Sequence, residues 1–292
     1  MERYDETNKA SILGIVGNIF LLLIKGLVGI FTHSQAMIAD ATNSASDILN
    51  SFMTYIGNKV SSQEPDDDHN LGHGKAEYIY SLLISITMIV LAIKTFIDSI
   101  ESLFVKNNYS FSWWLIIVCL TTICVKFFLY LYTRKISIKY NNLLVKANSN
   151  DHRNDCIITS FNLLSVVLAY NNIYFFDGLV GIGIAGWIFY TGIIIFKESY
   201  DVLMDKTMDE EVKNKVLEII KDHDEVYKIN HFNATPVGFK YQISFTIFVD
   251  GNLSTFDSHK IANSLEKEID KKVPEVFLTV IHVNPMKVKD KE

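Results

Sequence analysis

Between Ala36 and Ser51 the chain reads AMIADATNSASDILNS, an otherwise apolar and small-residue run that carries Asp40, Asn43 and Asp47. On a helix these three polar residues fall at offsets of three and four, so they share one face. Ala39, Ala41, Ser44, Ala45 and Ser46 fill much of the remainder, and small side chains let neighbouring helices approach closely. Ionisable groups at membrane depth face a bundle interior or a water-filled cavity, which makes this stretch a candidate ion site. Asp151 and Asp155 repeat the four-residue spacing later in the chain. If the two helices are adjacent, Asn43, Asp47, Asp151 and Asp155 can form a four-oxygen cage. Three carboxylates and one amide oxygen, without thiolate or imidazole, suit a harder divalent ion such as Mn²⁺ and lower the preference for Zn²⁺. The same residues could instead cap helices or bridge them through hydrogen bonds. His152 stands beside Asp151, three residues before Asp155, so a small helical rotation could present its imidazole instead. The turn of about 100° per residue carries it off the Asp151 face.

Six segments approach the roughly 20 apolar residues needed to cross a bilayer: Ile12 to Phe31, Gln35 to Gly57, Ile79 to Ile100, Trp113 to Tyr132, Asp151 to Tyr170 and Gly178 to Phe196. The second and fifth are the least hydropathic, and they carry the carboxylates. With the N-terminus in the cytoplasm, the inner segments hold Arg3, Lys9, Lys59, Lys75, Arg134, Lys135, Lys139 and Lys146, against Lys106 alone outside. That asymmetry predicts six crossings with both termini cytoplasmic. Tyr109, Trp113 and Trp114, and then Tyr174, Phe175 and Phe176, suit an aromatic belt.

From about Asp205 the charged fraction rises. A helix over Asp209 to Asp222, strands over Val226 to Asn233 and Phe239 to Asp250, a helix over Ser254 to Lys272 and a strand over Val276 to Val283 are expected. The division is therefore residues 1–204, a six-helix transmembrane domain, and residues 205–292, a cytoplasmic α+β domain. The tail is small for a stable core of its own, which favours dimerisation through it.

At 49% hydrophobic residues the 292-residue chain is too apolar for an ordinary soluble protein and too polar to lie wholly in a membrane. A formal net charge of −6 gives no hint of nucleic-acid binding. Cys119, Cys124 and Cys156 lie in apolar segments without C-x-x-C spacing, which speaks against disulfides and thiolate zinc sites. The charged opening MERYDETNKAS lacks a small-residue cleavage site, so the first apolar run is expected to remain in the protein. The sequence offers no nucleophile and base pair, phosphate-binding glycine loop or cofactor motif, so neither an enzyme nor a prosthetic group is expected.

Over nearly its whole length the chain resembles the cation diffusion facilitators, a family of divalent-metal/proton antiporters. The resemblance rests on the paired four-spaced motifs, on the loop QEPDDDHNLGHGKAE from Gln63 to Glu77, and on six hydrophobic segments followed by an α+β tail. It implies a membrane α-helical six-helix bundle with a ferredoxin-like, metallochaperone-like cytoplasmic domain. By this likeness the transport site falls on Asn43, Asp47, Asp151 and Asp155, and alignment of Asp151-His-Arg-Asn-Asp155 puts Asp151 at the ligand position. Zinc-transporting members usually have His where this chain has Asp151; the Asn, Asp, Asp, Asp set is similar to that of bacterial manganese exporters.

Asp66, His69 and His73 resemble a second metal site of the family; His69 and His73, four apart, could share an ion if the segment is helical. Lys75 resembles a family lysine that pairs with an acidic residue after the sixth helix, here Asp205. His231, His259 and His282 match positions of a cytoplasmic two-metal site, in which Thr246 and Asn284 replace a His and an Asp. The implied protein is a homodimer in the cell (inner) membrane that exports Mn²⁺ by alternating access, with protons as counter-ion. Fe²⁺ or Zn²⁺ export is the alternative within the family. A non-transporting metal-sensing or assembly subunit is the alternative outside transport.

Overall fold

The computed structural model describes residues 2–32, 35–104, 113–170 and 175–286. Lys106, Tyr109 and Tyr174, and the side chains of Asp40, Phe175 and Phe176, lie outside the described residues. Six long helices come first: α1 (Glu2–Thr32), α2 (Gln35–Ser61), α3 (Ala76–Phe104), α4 (Trp113–Tyr140), α5 (Leu143–Tyr170) and α6 (Phe175–Leu203). The prolines of the chain, Pro65, Pro236, Pro274 and Pro285, all fall outside them, so no proline removes a helical hydrogen bond. Each helix runs beyond the apolar window that reveals it. The fifth starts at Leu143 rather than Asp151, because its polar first turns are helical without being hydropathic.

Among the described residues, four of the six, α1, α3, α4 and α6, are long and apolar enough to cross a membrane. The bundle is inverted in polarity. Val16, Leu23, Leu27 and Phe31 of α1 are exposed, whereas Ser11, Asn18, Asn50, Ser51 and Asn58 are buried between helices. Apolar side chains outside and polar ones inside suit a lipid solvent, and the chain is a multi-pass membrane protein.

Two contacts place the helices that matter most. Asn141, at φ 45°, ends α4 in the left-handed region, and Asn142 caps α5 by accepting the Val145 N–H at 2.7 Å. This turn sets α4 and α5 side by side and antiparallel. At 1.5 Å per residue, Lys126 on α4 and Asp155 on α5 both lie about 20 Å from it, and so at the same height. A β-carbon on Gly57 of α2 would stand 2.5 Å from Leu144 of α5 and 2.8 Å from Tyr80 of α3, so glycine lets the three helices meet.

The last stretch contains α7 (Glu210–Lys221), β1 (Lys228–Val237), β2 (Lys240–Asp250), α8 (Thr255–Lys272) and β3 (Val276–Met286). β1 and β2 pair antiparallel across the two-residue loop Gly238-Phe239, where Gly238 takes φ 62°, as a hairpin of primed type requires. The first strand accordingly runs later than the residues 226–233 read from its pattern. α8 then crosses over to lay β3 parallel to β2, giving the order β1-β2-β3. Ile243, Phe245 and Ile247 point into a core with Ile220 of α7 and Leu265 and Ile269 of α8. A ferredoxin-like order would be β-α-β-β-α-β; among the described residues the sheet has three strands, and the first strand of that order is absent.

The chain divides into two compact units, Met1–Gln63 with Ala76–Tyr200, and Glu64–Lys75 with Asp201–Glu292. The α2–α3 loop thus packs with the C-terminal elements. Its Gly74 lies so close to the hairpin that an added β-carbon would be 2.8 Å from the Gly238 Cα.

Candidate metal centre

Asp47 of α2 and Asp155 of α5 meet at the amino group of Lys126 from α4. Lys126 Nζ donates to Asp47 Oδ2 at 2.7 Å and to Asp155 Oδ2 at 2.5 Å. The lysine side chain is 1% exposed, while those of Asp47 and Asp155 keep 14% and 17% of their surface. A sealed ammonium therefore holds together two carboxylates that remain partly open.

Asp151, one turn before Asp155, is buried and accepts from Asn50 Nδ2 at 3.2 Å, while Asn50 Oδ1 accepts from Thr87 Oγ1 at 3.2 Å. Asp151, His152 and Asp155 each offer a ligand atom within 4.8 Å of the others, a spacing that one metal ion can bridge. The His152 ring is fully buried, and among the described residues neither of its nitrogens has a hydrogen-bond partner. Asn43, one turn before Asp47, is exposed on α2. Asn18 of α1 braces this arrangement by donating to the Asp47 carbonyl and to Ser51 Oγ, each at 3.2 Å.

Lys126 was not foreseen from the sequence, and neither were Asn50 and Asn18. For the lysine a signal was present: a single cation near the centre of an otherwise apolar span is expensive in a membrane and needs a partner. Lys25 of α1, also buried, donates to Ser44 Oγ at 3.1 Å and is a second such cation.

The loop residues Asp66, His69 and His73 come together without a helix. Asp66 Oδ1 accepts the backbone N–H groups of Asp68 and His69, at 3.1 and 2.6 Å, and this turn folds the loop back. Nδ1 of His69 then lies 3.2 Å from Asp66 Oδ1, and Nε2 of His73 lies 3.3 Å from Oδ2. The two rings are 4.4 Å apart, and the three side chains form a second group of metal-binding size. The His69 backbone N–H holds the Asp66 carboxyl below its ordinary range, aided by the nearby imidazoles. The expected helical spacing of the histidines is replaced by this turn. Lys75 Nζ donates to Asp205 Oδ1 at 2.6 Å, both side chains being well exposed.

The three histidines of the C-terminal unit do not converge. Opposite His282 on β3 lies Thr246 of the central strand, and opposite Thr246 lies Asn230 of β1, the neighbour of His231. Two strand spacings of about 4.8 Å keep His231 and His282 on separate edges, and His259 is exposed on α8. Among the described residues these three form no metal-sized group.

Residues 11–204 match the model of the cation efflux transmembrane domain, and residues 208–286 match that of the cytoplasmic domain of cation efflux proteins. The chain is 28% identical to the manganese efflux system protein MneP of Bacillus subtilis, over 97% of this chain and 98% of that protein. It is 26% identical to MneS of the same organism, over 99% of this chain and all of that protein. It is also 28% identical to the magnetosome protein MamM of Magnetospirillum gryphiswaldense, over 89% of this chain and 83% of that protein. With both parts matched in order, one bearing carboxylates gathered between its helices and the other an α+β unit, the chain belongs to the cation efflux family, a family of transporters.

Proposed function

We propose that this protein exports a divalent metal cation, Mn²⁺ first among candidates, from the cytoplasm in exchange for protons. The observation that carries the reading is the meeting of Asp47 and Asp155 on a buried cation, with Asp151 one turn away. Carboxylates from two helices that already gather around positive charge in a low-dielectric interior are suited to a metal ion. Asn43 and Asp47 on α2, with Asp151 and Asp155 on α5, are the transport ligands in this reading. All six long helices cross the membrane, and both termini are cytoplasmic. The membrane is the cell (inner) membrane.

Alternating access moves the ion from one face to the other without an open channel. When the ion leaves, the three carboxylates require compensating charge, and protons taken up by the Asp side chains supply part of it. The C-terminal unit dimerises and is the place where cytoplasmic metal would be sensed. Manganese is supported by the all-oxygen ligand set and by the manganese efflux for which the Bacillus relatives are named.

Uptake of Mn²⁺, Fe²⁺ and Zn²⁺ into proteoliposomes with an imposed pH gradient tests this reading. The parent is expected to favour Mn²⁺; Asp47→Asn and Asp155→Asn should reduce transport at least tenfold, and Asn43→Asp with Asp151→His should gain Zn²⁺. Equal pH dependence of transport in Asp151→Asn and the parent would remove that carboxylate from the proton path. A second reading, Fe²⁺ or Zn²⁺ export, is favoured by the buried and unpartnered His152 ring beside Asp151 and Asp155. Zinc transport by the parent that is lost in His152→Leu would decide for it.

A further inference from the structure

We propose that Lys126 is a tethered cation that competes with the metal for the same carboxylate oxygens. Ion entry displaces the ammonium, and its return helps to expel the ion. The proposal rests on the transport-site reading above and adds to it a residue that opposes binding.

The geometry is specific. Lys126 Nζ lies at hydrogen-bond distance from one oxygen of each of two carboxylates on different helices. An ion bridging Asp47 and Asp155 needs the space between them, where the ammonium stands. Asp151 lies within the same group of ligand atoms and has Asn50, not Lys126, as its described hydrogen-bond donor. The occupied state is therefore a closed one: two metal-ligand candidates are already paired, and the third is held ready.

The chemistry of lysine suits such a role. Its ammonium is a compact charge on a flexible four-carbon stem, able to swing away without moving the helix backbone. Two carboxylates held together between packed helices and only partly open repel one another without a cation, so the ammonium stabilises the site during the part of the cycle when no metal is present. A unit charge and a double charge some 5 Å apart repel enough, even at the dielectric constant of water, to change affinity on the order of tenfold. The lysine thus lowers affinity to a level from which the ion can leave. A fixed brace between α2, α4 and α5 would do the opposite, holding the ligands in position and favouring binding.

The test is Mn²⁺ binding to the purified full chain by equilibrium dialysis, joined to transport in proteoliposomes. Lys126→Gln and Lys126→Met are expected to bind on the order of tenfold or more tightly, with lower KM and lower kcat, because release loses its competitor. Lys126→Arg, which keeps a cation of similar reach, should stay near the parent in affinity. If the single neutral variants do not fold, Asp47→Asn/Lys126→Gln preserves the charge count of the parent and should bind more tightly than Asp47→Asn alone. Unchanged or weaker binding on removal of the ammonium, in either comparison, overturns the proposal and leaves Lys126 a brace. Parent-like binding in both Asp47→Asn and Asp155→Asn would overturn the site reading itself. Damaged binding in those variants beside an unchanged Lys126→Gln would overturn only the competition.

Discussion

Asn50 aims Asp151, and it does so because Thr87 fixes its amide from the other side. A hydrogen bond to a charged group contributes about 1.5–3 kcal/mol, so Asn50→Leu should raise the KM for Mn²⁺ by about ten- to a hundredfold, while the Lys126 contacts persist. Transport titrations in proteoliposomes would show it. Outside the membrane, Asp66 gives a pH prediction. Its carboxyl lies below the ordinary value of 3.8, so its contribution to the loop turn is complete above that value and is lost as pH falls through the lower, folded one. The amide resonance of His69, whose N–H donates to Asp66, should therefore titrate below pH 3.8, and Asp66→Asn should abolish the step. At this scale the sequence is legible where chemistry is local. Asp151 and Asp155 announce themselves because one helical turn puts both on one face. Lys126 does not, because its meaning depends on which helix lies alongside α4, and no periodicity within α4 carries that.

The α4–α5 hairpin is the element that joins the lysine to the aspartates. Two consecutive asparagines, one at positive φ and one capping, make the turn, yet the sequence reads there as polar residues between two spans. In the tail the alternation of Ile243, Phe245, Ile247 and Val249 is visible, and all four are buried. The parallel neighbour of that strand is not, since a crossover through α8 leaves no local trace. Nor does the pattern set the end of β1, which is fixed by Gly238. Alanine there would be held at a φ that costs about 1–2 kcal/mol, and its β-carbon would come within 3.0 Å of the Gly74 Cα. Gly238→Ala should destabilise the C-terminal unit by at least that amount, read as faster amide exchange in β1 and β2 of the full chain.

Across the whole molecule, the first turn of α1 is tied down by charge. Arg3 donates to Glu77 Oε2 at 2.6 Å and to the Tyr140 carbonyl at 3.2 Å, and Glu77 Oε1 accepts the Leu143 N–H at 2.8 Å. Four helices, α1, α3, α4 and α5, converge on this clasp. Glu77 is 1% exposed, so Arg3→Ala would leave its charge buried without this partner and should cost about 3–5 kcal/mol, seen as a lower melting temperature in detergent. Glu77→Gln, which keeps the amide-accepting oxygen, should cost less.

The path of the chain through its C-terminal unit carries a practical consequence. Glu64–Lys75 belongs to that unit although more than a hundred residues separate it from Asp201–Glu292. A fragment beginning at Asp205 is thus a discontinuous domain with one piece removed. It lacks Gly74 against the hairpin and Lys75 on Asp205, the very residue at its cut end. Metal affinities or dimer strengths measured on such a fragment describe a truncated body, and a graft that carries residues 64–75 back across a short linker would be the faithful excision.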